Sequence, residues 1–66
     1  MTIQLNGSPH PLKEPCTVEA LLESLDMKGK PVVVELNGTA LSPREFAGIM
    51  VNDDAVVEIV SIVAGG

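Results

Sequence analysis

Thr17-Val18-Glu19-Ala20-Leu21-Leu22-Glu23-Ser24-Leu25 is the stretch that decides how this chain folds. Its apolar residues at positions 18, 21, 22 and 25 follow the i, i+3, i+4, i+7 spacing of one helix face. Thr17 is a favourable N-cap, Gly29 suits the C′ position and Pro31 prevents continuation, which predicts a helix from about residue 18 to residue 27. A helix with one apolar stripe must pack against another layer, so the rest of the chain should supply a sheet.

Strand signals lie on both sides of this helix. Upstream, Thr2-Ile3-Gln4-Leu5 alternates polar and apolar residues, and Asn6-Gly7 favours a type I′ hairpin turn. The return strand, around His10 to Lys13, is interrupted by prolines that donate no ladder hydrogen bond, and it therefore belongs at a sheet edge. Downstream, the pattern predicts strands at 32–36 and 56–62, a brief pairing at 39–41 after a second Asn-Gly turn, and one helical turn at about 43–47.

Together these elements indicate the α+β class, with a mixed four- to five-stranded sheet, one main helix packed on one face, and solvent on the other. A chain of 66 residues forms a single domain, 1–66, and a domain of this size buries only ~60% of its unfolded surface. Residues 63–66 carry no packing signal and are expected to form a flexible C-terminal tail. A core this small leaves too few residues to line a deep pocket, which argues against a self-sufficient enzyme.

The charge balance argues against several function classes. Nine acidic and four basic residues give a net charge of −5, whereas nucleic acid and anionic membranes attract a basic face. No stretch approaches the ~18–20 apolar residues of a membrane span, and the N-terminus has no signal-peptide pattern. The lone Cys16 excludes an internal disulfide and any multi-cysteine metal site, so we expect no metal, and it fits a reducing, cytoplasmic location.

The search for catalytic side chains finds only weak candidates. His10 is the single histidine and nothing ties it to a nucleophile, so we interpret it as an ordinary exposed residue. Cys16 precedes the helix N-cap, where backbone amides could lower a thiol pKa, but a free cysteine is more often buried in packing. The acidic residues lack any metal-ligand spacing and are interpreted as solvated surface, with the helix face a candidate steering surface for a basic partner.

The sequence ends in Gly65-Gly66, which chance would produce about once in 200 chains at ~7% glycine. The simple interpretation is a loose end. The functional interpretation is a carboxylate that another protein handles, because residues without side chains can thread a narrow channel and accept the backbone angles it imposes. Transfer of AMP from ATP would turn that carboxylate into an acyl adenylate, which a thiolate or sulfide can attack. Such chemistry needs no catalytic side chain from this domain.

Four short motifs precede the terminal diglycine in a characteristic order: Asn6-Gly7, Thr17-Val18-Glu19-Ala20-Leu21-Leu22, Val34-Glu35-Leu36-Asn37-Gly38 and Val57-Glu58-Ile59-Val60. In this order, and at this length, the whole chain resembles the ubiquitin-like β-grasp sulfur carriers, most closely those of thiamine biosynthesis. Ala64 stands where many members of that family have a third glycine. The final residues 63–66 are also similar to the tail of the small subunit of molybdopterin synthase.

The resemblance implies a protein co-substrate that is not itself an enzyme. An E1-like adenylating enzyme, using ATP and Mg²⁺, would activate the carboxylate of Gly66 while Gly65 and Ala64 thread its active site. Sulfur from a donor such as a cysteine desulfurase or a rhodanese-type protein would make the thiocarboxylate, and thiazole synthase would take that sulfur. The chain itself would bind no cofactor and would be a monomer. The alternatives are the sulfur-carrier subunit of molybdopterin synthase and a non-catalytic β-grasp interaction module.

A partner must also hold the domain while the tail reaches its active site. In the last strand, Val57 and Ile59 share one face, and the neighbouring residues point to the other face. If Val57 and Ile59 face the helix, then Val56, Val60 and Ile62 form a candidate docking patch on the solvated face. The alternative is that Val60 and Ile62 close the bottom of the core.

Overall fold

The described part of the chain, residues 1–62 of a computed structural model, contains one α-helix, one 3₁₀ turn and seven strands. Helix α1 spans Val18–Ser24 and the 3₁₀ turn spans Pro43–Glu45. The strands in chain order are β1 (Thr2–Leu5), β2 (Ser8–Pro11), β3 (Cys16–Thr17), β4 (Val32–Leu36), β5 (Thr39–Leu41), β6 (Met50–Val51) and β7 (Val56–Ser61). The tail predicted at 63–66 lies outside the described residues.

Five of these strands form one mixed sheet in the order β2-β1-β7-β4-β5. Its central strand, β7, runs parallel to β1 and antiparallel to β4. The proline-containing strand β2 lies at an edge, as predicted. The α+β class and the helix-on-sheet arrangement are therefore confirmed, with five strands in the main sheet. Within residues 1–62 no helix has the length and apolar character that crossing a membrane would require.

The core lies between α1 and the inner face of this sheet. The helix contributes the side chains at positions 18, 21 and 22, which are the first three members of the predicted apolar stripe. The sheet contributes inward-facing residues of its three inner strands, β1, β4 and β7, because alternate side chains of a strand point to the same face. The buried set is Ile3, Val18, Leu21, Leu22, Val34, Phe46, Val51, Ala55, Val57 and Ile59.

Helix α1 ends at residue 24, three residues before the predicted end. The left-handed C′ position, which was predicted for Gly29, is occupied by Asp26 at φ 63°. Met27 N–H donates to Leu22 O at 2.8 Å, and Asp26 N–H donates to Glu23 O at 3.1 Å. These two hydrogen bonds form a Schellman motif. Aspartate tolerates the left-handed region better than most side chains, so it can end a helix where the pattern favoured a glycine.

Strands β3 and β6 form a second, two-stranded antiparallel sheet that the sequence pattern did not predict. Cys16 pairs with Val51 there, and the connection continues as Val18 N–H donates to Ile49 O at 2.9 Å. A strand of two residues is too short to show alternation, so no periodic signal marks it. The small sheet joins the start of α1 to the segment after the 3₁₀ turn.

Both Asn-Gly pairs form the predicted tight turns. Asn6 and Asn37 have φ of 50° and 51°, and the glycines that follow have φ of 81° and 85°, as a type I′ turn requires. Because the first turn has only two central residues, Leu5 faces Ser8 directly. Strand β2 therefore begins at Ser8, and the prediction that the return strand starts around His10 is wrong by two residues.

The side chains of the same two asparagines hold the central strand. Asn6 Oδ1 accepts a hydrogen bond from Ile59 N–H at 2.7 Å, and Asn37 Oδ1 accepts one from Val56 N–H at 2.8 Å. Both donor amides lie in β7. The amide of Ile59 lies beyond the last residue of β7 that pairs with β1, and the amide of Val56 lies beyond the last residue that pairs with β4. Each turn thus continues the hydrogen-bond ladder on one side of β7 after the neighbouring strand has ended.

Substituting Asn6 by alanine should lower the free energy of unfolding by about 1–3 kcal/mol, because it leaves the partly buried amide of Ile59 without an acceptor. Asn6→Asp is the matched control, since aspartate keeps an oxygen at that position and tolerates positive φ. Urea unfolding followed by circular dichroism measures both variants. Equal losses for the two variants would show that the side-chain hydrogen bond contributes little.

Candidate functional site

The predicted docking residues lie on the outer face of the main sheet. Val60 is 59% exposed, Ile62 is 51% exposed and Val56 is 46% exposed, whereas Val57 and Ile59 are buried against the helix side. Exposed valine and isoleucine are unusual when they lie close together on one face. The alternative that Val60 and Ile62 close the bottom of the core is therefore wrong.

A further exposed residue on this face, Val33, was missed from the sequence. Val33 is 40% exposed and lies directly opposite Val60 in the antiparallel pairing of β4 with β7. The run Val32-Val33-Val34 hid it, because three valines in a row give no alternation. Once Val34 is known to point inward, the two-residue period of the strand assigns Val33 to the outer face. We call Val33, Val56, Val60 and Ile62 the outer apolar patch.

The outer apolar patch continues to the last described residue. Ile62 N–H donates to Pro31 O at 2.9 Å, so main-chain bonding between these segments extends one residue past β7. The pair Val33 and Val60 lies next to this point, since Val32 is the partner of Ser61. The other predicted site residues, Ala64, Gly65 and Gly66, lie outside the described part of the chain.

Two carboxylates lie beside the apolar pair on the same face. Glu35 and Glu58 are direct partners in the pairing of β4 with β7, and both are exposed. Each lies two residues along its strand from Val33 or Val60. In residues 1–62 neither one makes an ion pair; the ion pair recorded there joins Lys28 Nζ to Glu23 at 3.3 Å. The sequence pattern places each glutamate on the outer face but does not show that they meet.

The two weak catalytic candidates lie away from the outer apolar patch. His10 lies in edge strand β2 opposite Ile3 and is half-buried, so the interpretation of this residue as exposed is wrong. Cys16 is half-buried and packs against the core. Burial raises the pKa of its thiol above the ordinary value, and the negative charge of Glu14 raises that pKa further. The environment of Cys16 therefore disfavours the reactive thiolate, which agrees with a packing role.

An open groove of about 440 Å³ lies on the helix side of the sheet. Its lining is mainly apolar, and neither His10 nor Cys16 belongs to it. It is formed by Glu19, Leu22, Met27, Lys28, Gly29, Lys30, Pro31, Val32, Pro43 and Phe46. In the described ranges, no group of three or more histidine, cysteine, aspartate or glutamate residues could hold a metal ion.

Comparison with known proteins identifies the family. The sequence model of the ThiS family matches residues 3–66, which is almost the whole chain. The chain belongs to the ThiS family. A crystal structure of the thiamine biosynthesis protein ThiS from Geobacter metallireducens superposes with a TM-score of 0.87 at 33% identity, and the match covers 100% of both chains. The ubiquitin-like β-grasp fold expected from the resemblance is thereby confirmed.

The names of two of the curated relatives of this ThiS-family chain bear on its function. The sulfur carrier protein ThiS of Thermus thermophilus is 38% identical over 64 residues, covering 97% of this chain and 98% of that protein. A thiazole synthase of Magnetococcus marinus is 33% identical over 66 residues, covering 100% of this chain. The match takes up only 20% of that thiazole synthase, so a segment like this whole chain lies within a much longer polypeptide.

The raised pKa of Cys16 predicts slow alkylation near neutral pH. At pH 8 the Glu14→Gln variant should react with iodoacetamide faster than the wild type, because removing a nearby negative charge lowers the thiol pKa and raises the thiolate fraction. The pH profile of the rate should shift to lower pH. Glu23→Gln is the matched control; an equal shift in that variant would contradict a local effect of Glu14.

Proposed function

We propose that this chain is the sulfur carrier for thiazole formation in thiamine biosynthesis, acting in the cytoplasm through a thiocarboxylate at Gly66. The observation that carries the proposal is the match to the ThiS family across residues 3–66. The relative in Thermus thermophilus, named a sulfur carrier protein, supports it at nearly full length. In this proposal the chain is a co-substrate of other enzymes and catalyses nothing itself.

The chemistry follows from the reactivity of a carboxylate. The Gly66 carboxylate is a poor electrophile, so an E1-like adenylating enzyme transfers AMP to it from ATP and releases pyrophosphate. The outer sulfur of a persulfide on a donor such as a cysteine desulfurase then attacks the carbonyl carbon and displaces AMP, which gives an acyl disulfide. A thiol attacks the donor's sulfur in that S–S bond, forms a disulfide with the donor cysteine and releases the thiocarboxylate. ATP and Mg²⁺ are bound by the adenylating enzyme, and this chain needs no cofactor. Because the reacting carbonyl belongs to the main chain, no side chain of the domain has to take part.

The relationship to a thiazole synthase favours that enzyme as the acceptor of the sulfur. In Magnetococcus marinus a segment similar to this whole chain belongs to the thiazole synthase polypeptide. Joining a carrier to its acceptor in one chain raises their effective concentration, which is useful only if the two act together. This supports the thiamine pathway over molybdopterin synthase, whose small subunit has a similar tail. It also supports a carrier over a simple interaction module.

The outer apolar patch is the proposed docking surface for the adenylating enzyme. Val60, Ile62 and Val56 are exposed, and Ile62 is the last described residue before the diglycine. An enzyme that covers these residues would hold the domain close to the point from which the tail must reach the active site, with Ala64 and Gly65 in the channel. The chain alone is expected to be a monomer.

Deleting Gly66 should abolish thiocarboxylate formation. The measurement is intact mass after incubation with the adenylating enzyme, ATP, Mg²⁺ and sulfide. Exchange of one oxygen for sulfur changes the mass almost as methionine oxidation does, and the chain has three methionines. A thiol-alkylating probe in a Cys16→Ala background separates the two reactions, because only the thiocarboxylate would then be alkylated. An alkylatable product from the deletion variant, or none from the full-length chain, would overturn the proposal.

Val60→Asp should abolish adenylation while leaving the domain folded, because the side chain is 59% exposed on the outer face. Val57→Asp is the matched control on the opposite face of the same strand. Val57 is fully buried, and a carboxylate there should unfold the domain. Pyrophosphate release measures adenylation and circular dichroism measures folding. Normal adenylation of a folded Val60→Asp variant would contradict docking through this face.

A further inference from the structure

The outer face of the sheet carries a repulsive pair at its centre. Glu35 and Glu58 lie directly opposite each other on β4 and β7, where side chains of an antiparallel pair have their Cβ atoms roughly 4.5–5.5 Å apart. Two like charges in this position destabilise a sheet. Within the described part of the chain no cation approaches either carboxylate closely enough to form an ion pair. The free domain therefore relies on water to screen the pair.

The position of this pair decides what can cover the face. Glu35 and Glu58 are two residues along their strands from Val33 and Val60, so the four side chains are nearest neighbours on one surface. A partner that buries Val33 and Val60 also removes water from the two carboxylates. Loss of solvent strengthens the repulsion between them and leaves two charges poorly solvated. An apolar partner surface alone would therefore bind this face poorly.

We infer that the protein docking on the outer apolar patch presents an arginine or lysine, surrounded by apolar side chains, to the space between Glu35 and Glu58. This inference rests on the proposed function, because it names the chemistry of the partner at the docking face. Arginine suits the site well, because one guanidinium can donate to two carboxylates at once. Its charge removes the repulsion that the free domain carries.

The inference is tested with the double variant Glu35→Gln, Glu58→Gln and the adenylating enzyme as the probe. Glutamine keeps the size of each side chain and removes the charge. The dissociation constant, measured by isothermal titration calorimetry, should rise at least about tenfold, and its dependence on salt concentration should flatten. In the free state the same variant should unfold at a higher urea concentration than the wild type, because the repulsion is gone.

Glu14→Gln is the control, since it removes one exposed negative charge from the loop before β3, outside the main sheet and the helix. Its dissociation constant should stay within about twofold of the wild-type value. A double variant that binds as tightly as the wild type, with an unchanged salt dependence, would overturn the inference. Charge reversal with Glu35→Lys, Glu58→Lys is a second variant, and undiminished binding by that protein would overturn it as well.

The Val60→Asp variant separates failure of this inference from failure of the proposed docking. If Val60→Asp prevents binding and the glutamine variant does not, the outer face is the docking surface but its carboxylates meet no cation. If Val60→Asp binds normally, the docking surface lies elsewhere on the domain and the inference falls with it. Loss of binding in both variants, with normal binding by the Glu14→Gln control, is the result we expect.

Discussion

The position of β7 is the constraint on which the rest of the structure depends. It is the central strand, bonded to β1 in parallel and to β4 in antiparallel fashion, and it contributes Val57 and Ile59 to the core. The side-chain oxygens of Asn6 and Asn37 bond two more of its amides where the ladders end. A shift of β7 by one residue would exchange its inner and outer side chains, so these bonds protect both the core and the exposed face.

The alternation of β7 separates stability from the proposed binding role. Its inward residues pack against α1, and its outward residues Val56, Glu58 and Val60 contribute little to the core. A domain of this size is expected to have only about 3–10 kcal/mol of stability. Truncating one of its buried inward side chains would therefore remove a large part of that stability. The outward side chains are free to serve a partner. One strand can thus carry both tasks, because each residue belongs to only one face.

Much of this arrangement follows from local patterns in the sequence. The apolar stripe at positions 18, 21 and 22 predicted the helix, and both Asn-Gly pairs predicted tight turns. The two-residue period of the last strand predicted that Val60 is exposed. Features that depend on distant partners did not follow. The pairing of Cys16 with Val51 joins segments too short to show a period, and the meeting of Glu35 with Glu58 depends on register. The early end of α1 depended on Asp26 adopting a conformation that glycine adopts more readily.

The Glu35 and Glu58 pair illustrates how a small domain can select partners at little cost to its own stability. In the free domain water screens the two exposed carboxylates, and interactions between exposed charges are worth at most about 1 kcal/mol. On a covered face the screening disappears, so the same pair penalises any partner that brings only apolar groups or further acid. A partner with a correctly placed cation avoids that penalty. Discrimination of this kind comes mainly from rejecting wrong partners, and the attraction of Val33 and Val60 alone could not supply it.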